Sequence, residues 1–453
     1  TVASDEEAEE DLREAALDSA TRVMDRVEQD GLNLLFSELV GALGDEDFAS
    51  RRATGVRLLE RFFDRTSLNV VPVLPAALPA VLPPALADSD PVTLASGVKA
   101  LNAIVKKVKK EELVAYLTEV RDAILKLISD PETKRVDPTK LLPGLCHHNG
   151  LEPLYPIYQQ GLMFGSAEAR ELAARGLGEL VGHTSEEALK PYVVKITGPL
   201  IRIVGDRFPG TVKKAIVDTL KSLLIRGGAT LKPFLPQLQT TYVRCLADPS
   251  EAVRQKAAES LGTLVRLSAR TEPLIKELTT GASTHDDPAV RLAMCSALGE
   301  VLANVPQPTS EEMQERILEA VLPRALGGGD SEPRDIEVAA WVLGTTIRRH
   351  APAERAAELL REDVALALED EDDGIRLGGA FALAGACWSQ KPQTPAPGQE
   401  LLDCLQEITG NWLPKLLCDS DNQVLGGAAA LFASVARLHT EAGKPWDPFL
   451  AHI

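Results

Sequence analysis

Aromatic residues are scarce in this sequence: Phe, Trp and Tyr make up 4% of the 453 residues, although 45% of the residues are hydrophobic. No stretch alternates apolar and polar residues as a half-buried strand would, so we expect helices. A single compact core stops growing near about 250–300 residues, so a chain of this length should form several domains or an extended array. Helices that pack through small and aliphatic side chains would explain why so few aromatics suffice.

Basic residues are also in deficit, with 48 Lys and Arg against 66 Asp and Glu and a formal net charge of −18. Binding nucleic acid requires cations that neutralise phosphates, so we expect no direct nucleic-acid binding by this chain as a whole. The six cysteines are widely spaced and form no C-x-x-C pair, which favours reduced thiols in an intracellular, cytoplasmic protein. The acidic start at Thr1 does not resemble a targeting peptide, and we interpret the chain as part of a longer protein.

One long uncharged stretch, Val70 to Ala87, is about as long as a membrane-spanning helix. It contains five prolines, and each proline removes a backbone donor and crowds the preceding turn. The stretch therefore predicts a proline-kinked helix inside a stack of helices, and we expect no membrane contact.

Residue patterns for catalysis are missing as well. The sequence contains no P-loop, no dinucleotide fingerprint and no nucleophile elbow. Cys146, His147 and His148 are the only cluster of metal-ligating residue types, and no second pair stands at a usable spacing. We therefore predict no metal, no cofactor and no enzymatic activity.

A repeat is the main feature that the sequence does contain. Its copies, such as SAEARELAARGLGELV, DPSEAVRQKAAESLGTLV and DDPAVRLAMCSALGEVL, share an apolar residue, an Arg or Lys, a run of small residues and Leu-Gly. A period near 40 residues with two helices per unit is the pattern of HEAT or armadillo arrays. We predict an all-α fold, a HEAT-repeat solenoid (alpha-alpha superhelix) of about ten helical hairpins. The marker leucines are Leu17, Leu58, Leu101, Leu177, Leu220, Leu261, Leu298, Leu343, Leu383 and Leu431.

The spacing of the markers divides the chain into segments. Residues 1–129 should contain about three HEAT repeats and residues 150–453 about seven. Between Leu101 and Leu177 the spacing is close to two periods, and we interpret residues 130–149 as an inserted loop. Either one degenerate repeat or a loop that replaces a first helix would fill this gap.

Charge is distributed unevenly along the chain. Thr1 to Asp30 and Gly327 to Ile375 each carry a net charge of −8, whereas Pro191 to Phe234 carries eight bases and two acids, a net of +6. A basic segment in an acidic protein predicts a docking surface for an acidic partner. Alternatively, these side chains solvate their own helices and pair with acids of other repeats. The candidate binding residues in this segment include Lys195, Arg207, Lys213 and Lys214.

Two stretches, KITGPLIRIVGDRF and LKPFLPQLQTTYVRCL, resemble the general-control translational activator family of ribosome-associated HEAT-repeat proteins. The resemblance is strongest over residues 150–303 and moderate over residues 68–128. It implies a non-catalytic scaffold that binds the RWD domain of the kinase that phosphorylates the alpha subunit of initiation factor 2, and that promotes activation of this kinase. It also implies ribosome association through the full-length protein, and it places the RWD-binding region at residues 185–250.

The same resemblance suggests two individual site residues. The Arg of the GPLIR motif is Arg202 and the Phe of the KPF motif is Phe234, and both positions are linked to kinase binding in the family. In the repeat alignment, however, Arg202 matches Arg244 and Phe234 matches Tyr192. We therefore expect Arg202 to contact the partner and Phe234 to support the site through packing.

Other kinds of helical-repeat protein remain possible on the repeat alone. A transport receptor or a phosphatase scaffold would bind cargo on its concave face, but it would leave the two matching motifs unexplained. A tubulin-binding array would require tryptophans that recur in its turns, and the four tryptophans here do not recur in that way. A catalytic HEAT protein is the most remote alternative.

Overall fold

The chain forms two compact units, Thr1–Phe234 and Leu235–Ile453. The computed structural model describes residues 2–5, 7, 9–45, 47–129, 137–205, 207–327, 332–388 and 399–441. Over these ranges the regular elements are helices, and they pair into hairpins in each unit. The predicted all-α HEAT-repeat fold is therefore confirmed. The sequence boundary between the units lies inside the range 185–250.

Twelve α-helices lie in the described part of the first unit. They are α1 (Glu10–Met24), α2 (Leu32–Leu43), α3 (Ala49–Arg65), α4 (Leu74–Leu86), α5 (Pro91–Lys107), α6 (Leu117–Ile128), α7 (Pro138–Leu141), α8 (Tyr155–Phe164), α9 (Ala167–His183), α10 (Glu186–Leu189), α11 (Val193–Val204) and α12 (Gly210–Gly227). A 3-10 helix, Gly228–Phe234, ends this unit.

Eleven α-helices lie in the described part of the second unit. They are α13 (Leu235–Cys245), α14 (Glu251–Leu264), α15 (Glu272–Thr284), α16 (Pro288–Asn304), α17 (Glu311–Ala325), α18 (Pro333–Arg349), α19 (Ala353–Glu358), α20 (Ala365–Ala367), α21 (Asp373–Cys387), α22 (Gln399–Leu416) and α23 (Asn422–Glu441). A short π-helical stretch, Leu359–Val364, joins α19 to α20.

The marker leucines form the core, as the repeat predicts. Nine of the ten are at most 1% exposed, because each lies where its helix packs against neighbouring helices. Leu58 is the exception: it is half-buried, and its neighbour Leu59 is fully buried. The predicted register was therefore wrong by one residue in this repeat, where two adjacent leucines both fit the spacing.

The glycine of the Leu-Gly pair allows the next first helix to approach. A Cβ atom built on Gly178 of α9 would lie 2.9 Å from Oγ1 of Thr219 on α12. A Cβ on Gly262 of α14 would lie 2.8 Å from the carbonyl oxygen of Glu300 on α16. A larger residue would push these helices apart, so the small residue recurs with the period of the repeat.

The Arg of the repeat closes the turn that precedes it. Arg254 donates from Nη1 to the carbonyl oxygens of Asp248 at 2.9 Å and Pro249 at 3.0 Å, and Arg291 donates to His285 at 2.7 Å. Such charged bonds satisfy carbonyls that a helix end leaves without an intrahelical donor. Arginines that donate to turn carbonyls in this way are Arg52, Arg170, Arg254, Arg291 and Arg376.

The proline-rich stretch contains a helix, as predicted. It forms a short 3-10 turn, Val71–Val73, followed by the 13-residue helix α4, and Pro79, Pro83 and Pro84 lie within that helix. All four of its leucines are buried, as are Ala77 and Ala85, and the helix packs against α5 and α6. Among the described residues, none of the helices has the length and apolar character required to span a membrane.

Part of the segment interpreted as an inserted loop is described. Residues 130–136 lie outside the described residues, and the remainder contains α7 and a 3-10 helix, Pro143–Cys146. Leu142 and Leu145 are fully buried, and the 3-10 helix contacts α4, α5 and α9. The described part of this segment therefore consists of short helical turns, and the 3-10 helix among them packs against both α5 and α9.

Candidate partner-binding surface

Four of the six predicted binding residues are exposed cations on or near α11. Lys195 and Arg202 lie on α11, Arg207 lies in the following turn and Lys214 lies in the first half of α12. We call these four residues the basic surface. All four belong to the first unit, and Asp206, which precedes Arg207, lies outside the described residues.

Helix α11 is amphipathic, and this character directs its cations outward. Its buried face includes Val193, Ile196, Leu200 and Ile203, each at most 2% exposed. Residues 194, 195, 198 and 202 fall on the opposite face and are exposed. The spacing of three and four residues keeps each set on one side of the helix.

Pro199 interrupts the hydrogen bonding of α11 and thereby ties this helix to α8. A proline has no N–H, so the carbonyl oxygen of Lys195 lacks its usual donor four residues later. The hydroxyl of Tyr155 on α8 donates to this carbonyl oxygen at 2.8 Å. The backbone that carries Lys195 is therefore fixed by a side chain from the preceding hairpin.

Aromatic rings also support the side chain of Lys195. Its Nζ lies 5.1 Å from the centroid of the Tyr192 ring, which is within cation–π range. The Tyr192 and Tyr155 rings have centroids 5.6 Å apart and planes tilted by 58°. Burial, and secondarily the neighbouring Tyr192, raises the pKa of Tyr155 to about 12, so its hydroxyl stays protonated as a donor at neutral pH.

Arg202 is positioned without a carboxylate. Its Nη2 lies 3.6 Å from Sδ of Met163 on α8, a weak contact with a neutral acceptor. Within the part of the chain that the structure describes, Lys195, Arg202, Arg207 and Lys214 form no ion pair. Over the described residues, each of these four exposed cations is thus available to an acidic group from another molecule.

Apolar side chains border the cations. Phe164, which directly follows Met163, is 75% exposed, and Val194 on α11 is 63% exposed. Phe208, next to Arg207, is half-buried, and the guanidinium of Arg170 stacks 4.6 Å from the centre of its ring. Exposed apolar groups beside charges are typical of the contact surfaces of proteins.

The remaining two predicted residues, Lys213 and Phe234, are less exposed than the four cations of the basic surface. Lys213 is half-buried and lies seven residues before Leu220, which is the place of the turn-closing arginines Arg254 and Arg291. Phe234 is half-buried at the end of the 3-10 helix Gly228–Phe234.

The 3-10 helix that ends at Phe234 begins near the start of α11. The helix follows Gly227, whose built Cβ lies 3.7 Å from Val193 at the start of α11, and it contacts both α11 and α12. Arg202 is nine residues after Val193, about 14 Å along the helix axis. The beginning of this 3-10 helix therefore lies near the end of α11 that is opposite to Arg202.

The cluster Cys146-His147-His148 is the candidate that the sequence offers for metal binding. Among the described residues, no group of three or more His, Cys, Asp or Glu could hold a metal ion. Sγ of Cys146 lies 3.3 Å from the carbonyl oxygen of Thr139, and the rings of His147 and His148 are 4.2 Å apart. These contacts indicate a packed turn.

A half-open cavity of about 220 Å³ lies in the second unit, among α16, α18 and α21. Trp341 and Trp388 line it, together with carboxylates and with Arg348 and Arg349. Both arginines donate to backbone carbonyls: Arg348 to Ala386 at 3.0 Å and Arg349 to Val305 at 3.2 Å. They therefore contribute to helix packing.

Sequence reasoning missed the residues that hold the basic surface in place. The cations are positioned by Tyr155, Tyr192 and Met163. These three residues are uncharged, so the count of charges did not point to them. One signal was available: Pro199 inside a predicted helix requires that another group satisfy the carbonyl of Lys195.

Two family models match the chain. Residues 1–149 match a model described as "Stalled ribosome sensor GCN1-like, HEAT repeats", and residues 238–268 match a HEAT repeat model.

Curated proteins are similar over most of the chain. "Protein ILITYHIA" of Arabidopsis thaliana is 41% identical over 68% of this chain and 11% of its own length. "eIF-2-alpha kinase activator GCN1" of Saccharomyces cerevisiae is 34% identical over 72% of this chain and 12% of its own length. The chain thus spans about a ninth of the length of these relatives. The solved structure of Kap121p bound to Pho4p is similar at 14% identity and a TM-score of 0.49, covering 99% of this chain and 46% of that chain.

Proposed function

Because the chain is a HEAT-repeat region of the GCN1 family, we propose that it is a non-catalytic scaffold that binds the RWD domain of the initiation-factor-2 alpha kinase. By holding this domain, it promotes activation of the kinase in amino-acid starvation. Relatives from yeast and Dictyostelium discoideum are named as activators of this kinase, and the matching family model is named for stalled-ribosome sensing. Ribosome association belongs to the full-length protein in this proposal.

The observation that carries the proposal is the basic surface. Lys195, Arg202, Arg207 and Lys214 are exposed, and over the described ranges they have no ion pair. Cations with no carboxylate of their own give an acidic partner fast, oriented association and charged hydrogen bonds. All four residues belong to the basic segment 191–234, which also contains the GPLIR motif with Arg202.

The test measures binding of the purified kinase RWD domain to this chain by titration calorimetry. Arg202→Ala should weaken binding about tenfold, because a charged hydrogen bond at an interface is lost. Arg202→Lys should recover part of the affinity. Arg244→Ala is the matched control, because Arg244 occupies the equivalent exposed position of α13, and its affinity should equal that of the wild type.

Salt provides a second measurement on the same complex. Affinity should fall as sodium chloride rises, and the slope should be shallower for Arg202→Ala because one ionic contact is missing. A wild-type chain that does not bind the RWD domain would refute the function. An Arg202→Ala chain that folds normally and binds as tightly as the wild type would refute only the assignment of the site.

A further inference from the structure

Gly198, which has no side chain, lies in the middle of the exposed face of α11. It stands three residues after Lys195 and four before Arg202, so the three share one side of the helix. Apart from its chain neighbours and the nearby backbone of α11 itself, a Cβ built on Gly198 would have no atom of the described residues within 4 Å. Since glycine is less favourable than alanine inside a helix, the packing of this chain gives no reason for a glycine there.

Pro199 does not explain the glycine either. The residue before a proline is restricted in a helix, because its Cβ approaches the proline ring. Nevertheless, other helices of this chain contain a proline that is preceded by leucine. These pairs are Leu78-Pro79, Leu82-Pro83, Leu322-Pro323 and Leu413-Pro414. A side chain before a helical proline is therefore accommodated in this fold.

Open space alone does not mark a site. Gly41, Gly182, Gly410 and Gly426 also lie in helices with no atom within 4 Å of a built Cβ. Gly198 differs because it lies between two exposed cations that form no ion pair with any described residue. Lys195 and Arg202 are about 10 Å apart along the axis, so a segment that crosses α11 could place one carboxylate on each.

We propose that Gly198 is the point at which the main chain of the acidic partner crosses α11 in van der Waals contact, with carboxylates on Lys195 and Arg202. Glycine permits this approach because no Cβ holds the two backbones apart. The inference rests on the proposed function and takes the RWD domain as the partner. According to this inference, binding requires the absence of a side chain at position 198 as well as the positive charge of Arg202.

The test adds side chains at this position and measures both folding and binding. Gly198→Ala and Gly198→Leu should melt, by circular dichroism, at or above the wild-type temperature, because both residues favour helix over glycine. The leucine variant also reproduces the Leu-Pro pair that other helices contain. Binding of the RWD domain should weaken slightly for alanine and at least about tenfold for leucine.

Gly41→Leu is the matched control, because Gly41 is an exposed, sterically open glycine on another second helix, α2, and its affinity should not change. Unchanged binding by Gly198→Leu, with weakened binding by Arg202→Ala, would overturn the close approach and leave the proposed function intact. Absence of binding by the wild-type chain would overturn both. If Gly198→Leu melts at a lower temperature, the alanine variant decides: a stable alanine variant with full affinity overturns the inference.

Discussion

Two sets of cations in the first unit differ in the groups that they contact. On α3, three arginines form ion pairs with carboxylates of α1 and of the residue that follows it. Arg57, Arg61 and Arg65 lie 2.6 to 2.7 Å, nitrogen to oxygen, from Glu14, Asp18 and Asp25. We call this set the paired ladder. On α11 and α12, the cations of the basic surface have no such partners among the described residues. The same residue types thus stabilise the fold in one place and remain available in the other.

The comparison corrects a simple interpretation of local charge. Residues 1–30 carry a net charge of −8, which as a count suggests an acidic surface. In the structure, part of this charge is matched by arginines about 40 residues away, one hairpin later. The +6 of residues 191–234 is not matched in this way by any described residue at Lys195, Arg202, Arg207 or Lys214. Contact, and not composition, decides which charges a partner can use.

The largest effect on stability should come from Arg52, a cation enclosed by its pairing. Its Nε lies 2.7 Å from Oδ2 of Asp88 and its Nη2 lies 3.0 Å from Oδ1, and the Asp88 side chain is 4% exposed. Arg52→Ala would leave that carboxylate buried without its cation. We expect the free energy of unfolding, measured with urea, to fall by about 2 kcal/mol.

Arg51 is the control for that change. It is adjacent in sequence and forms an ion pair with Asp45, but its side chain is 53% exposed. Arg51→Ala should therefore lower the free energy of unfolding much less than Arg52→Ala does. Both variants should bind the RWD domain as tightly as the wild type. Equal losses for the two variants would show that enclosure does not set the contribution of these pairs.

An intermediate effect should come from Tyr155, which connects the fold to the basic surface. Tyr155→Phe removes the donor to the carbonyl oxygen of Lys195, and we expect a loss of about 1 kcal/mol in urea unfolding. Pro199→Ala restores an N–H that can donate to the same carbonyl. In a chain with Pro199→Ala, Tyr155→Phe should therefore lower the free energy of unfolding clearly less.

Tyr242 provides the contrasting case for that experiment. Its hydroxyl is buried with no hydrogen-bond partner among the described residues, so Tyr242→Phe should not destabilise the chain. Two results would contradict the hydrogen bond from the Tyr155 hydroxyl to the Lys195 carbonyl. One is that Tyr155→Phe and Tyr242→Phe lower the free energy of unfolding equally. The other is that Tyr155→Phe lowers it by the same amount with and without Pro199→Ala.

The fold could be predicted from the sequence because the repeat is a packing rule. A buried leucine, a small residue where the next helix crosses and an Arg that closes the turn recur with the same period in structure and sequence, as at Leu261, Gly262 and Arg254. The resemblance to the family is confirmed by the comparisons. The register was wrong only where Leu58 and Leu59 are adjacent.

The candidate site could be predicted less completely. Exposure of Lys195 and Arg202 follows from the amphipathic spacing of α11, and the place of Lys213 follows from the repeat alignment. The contacts of Tyr155 and Met163 do not follow, because they depend on how one hairpin sits on the next about 40 residues away. The binding role of these residues stays a prediction until the RWD domain is tested.

The smallest expected effect on stability compares one cation of the paired ladder directly with one cation of the basic surface. Arg61 of the paired ladder is 29% exposed and lies 2.6 Å from Asp18, so Arg61→Ala should cost about 0.5–1 kcal/mol in low salt. In 1 M sodium chloride, where the screening length is about 3 Å, most of this cost should vanish. Arg202→Ala should change stability by less than about 0.5 kcal/mol at either salt concentration, since its described contact is to a neutral sulfur. A salt-dependent loss for Arg202→Ala as large as that for Arg61→Ala would mean that the fold itself uses this charge, and the distinction between the paired ladder and the basic surface would fail.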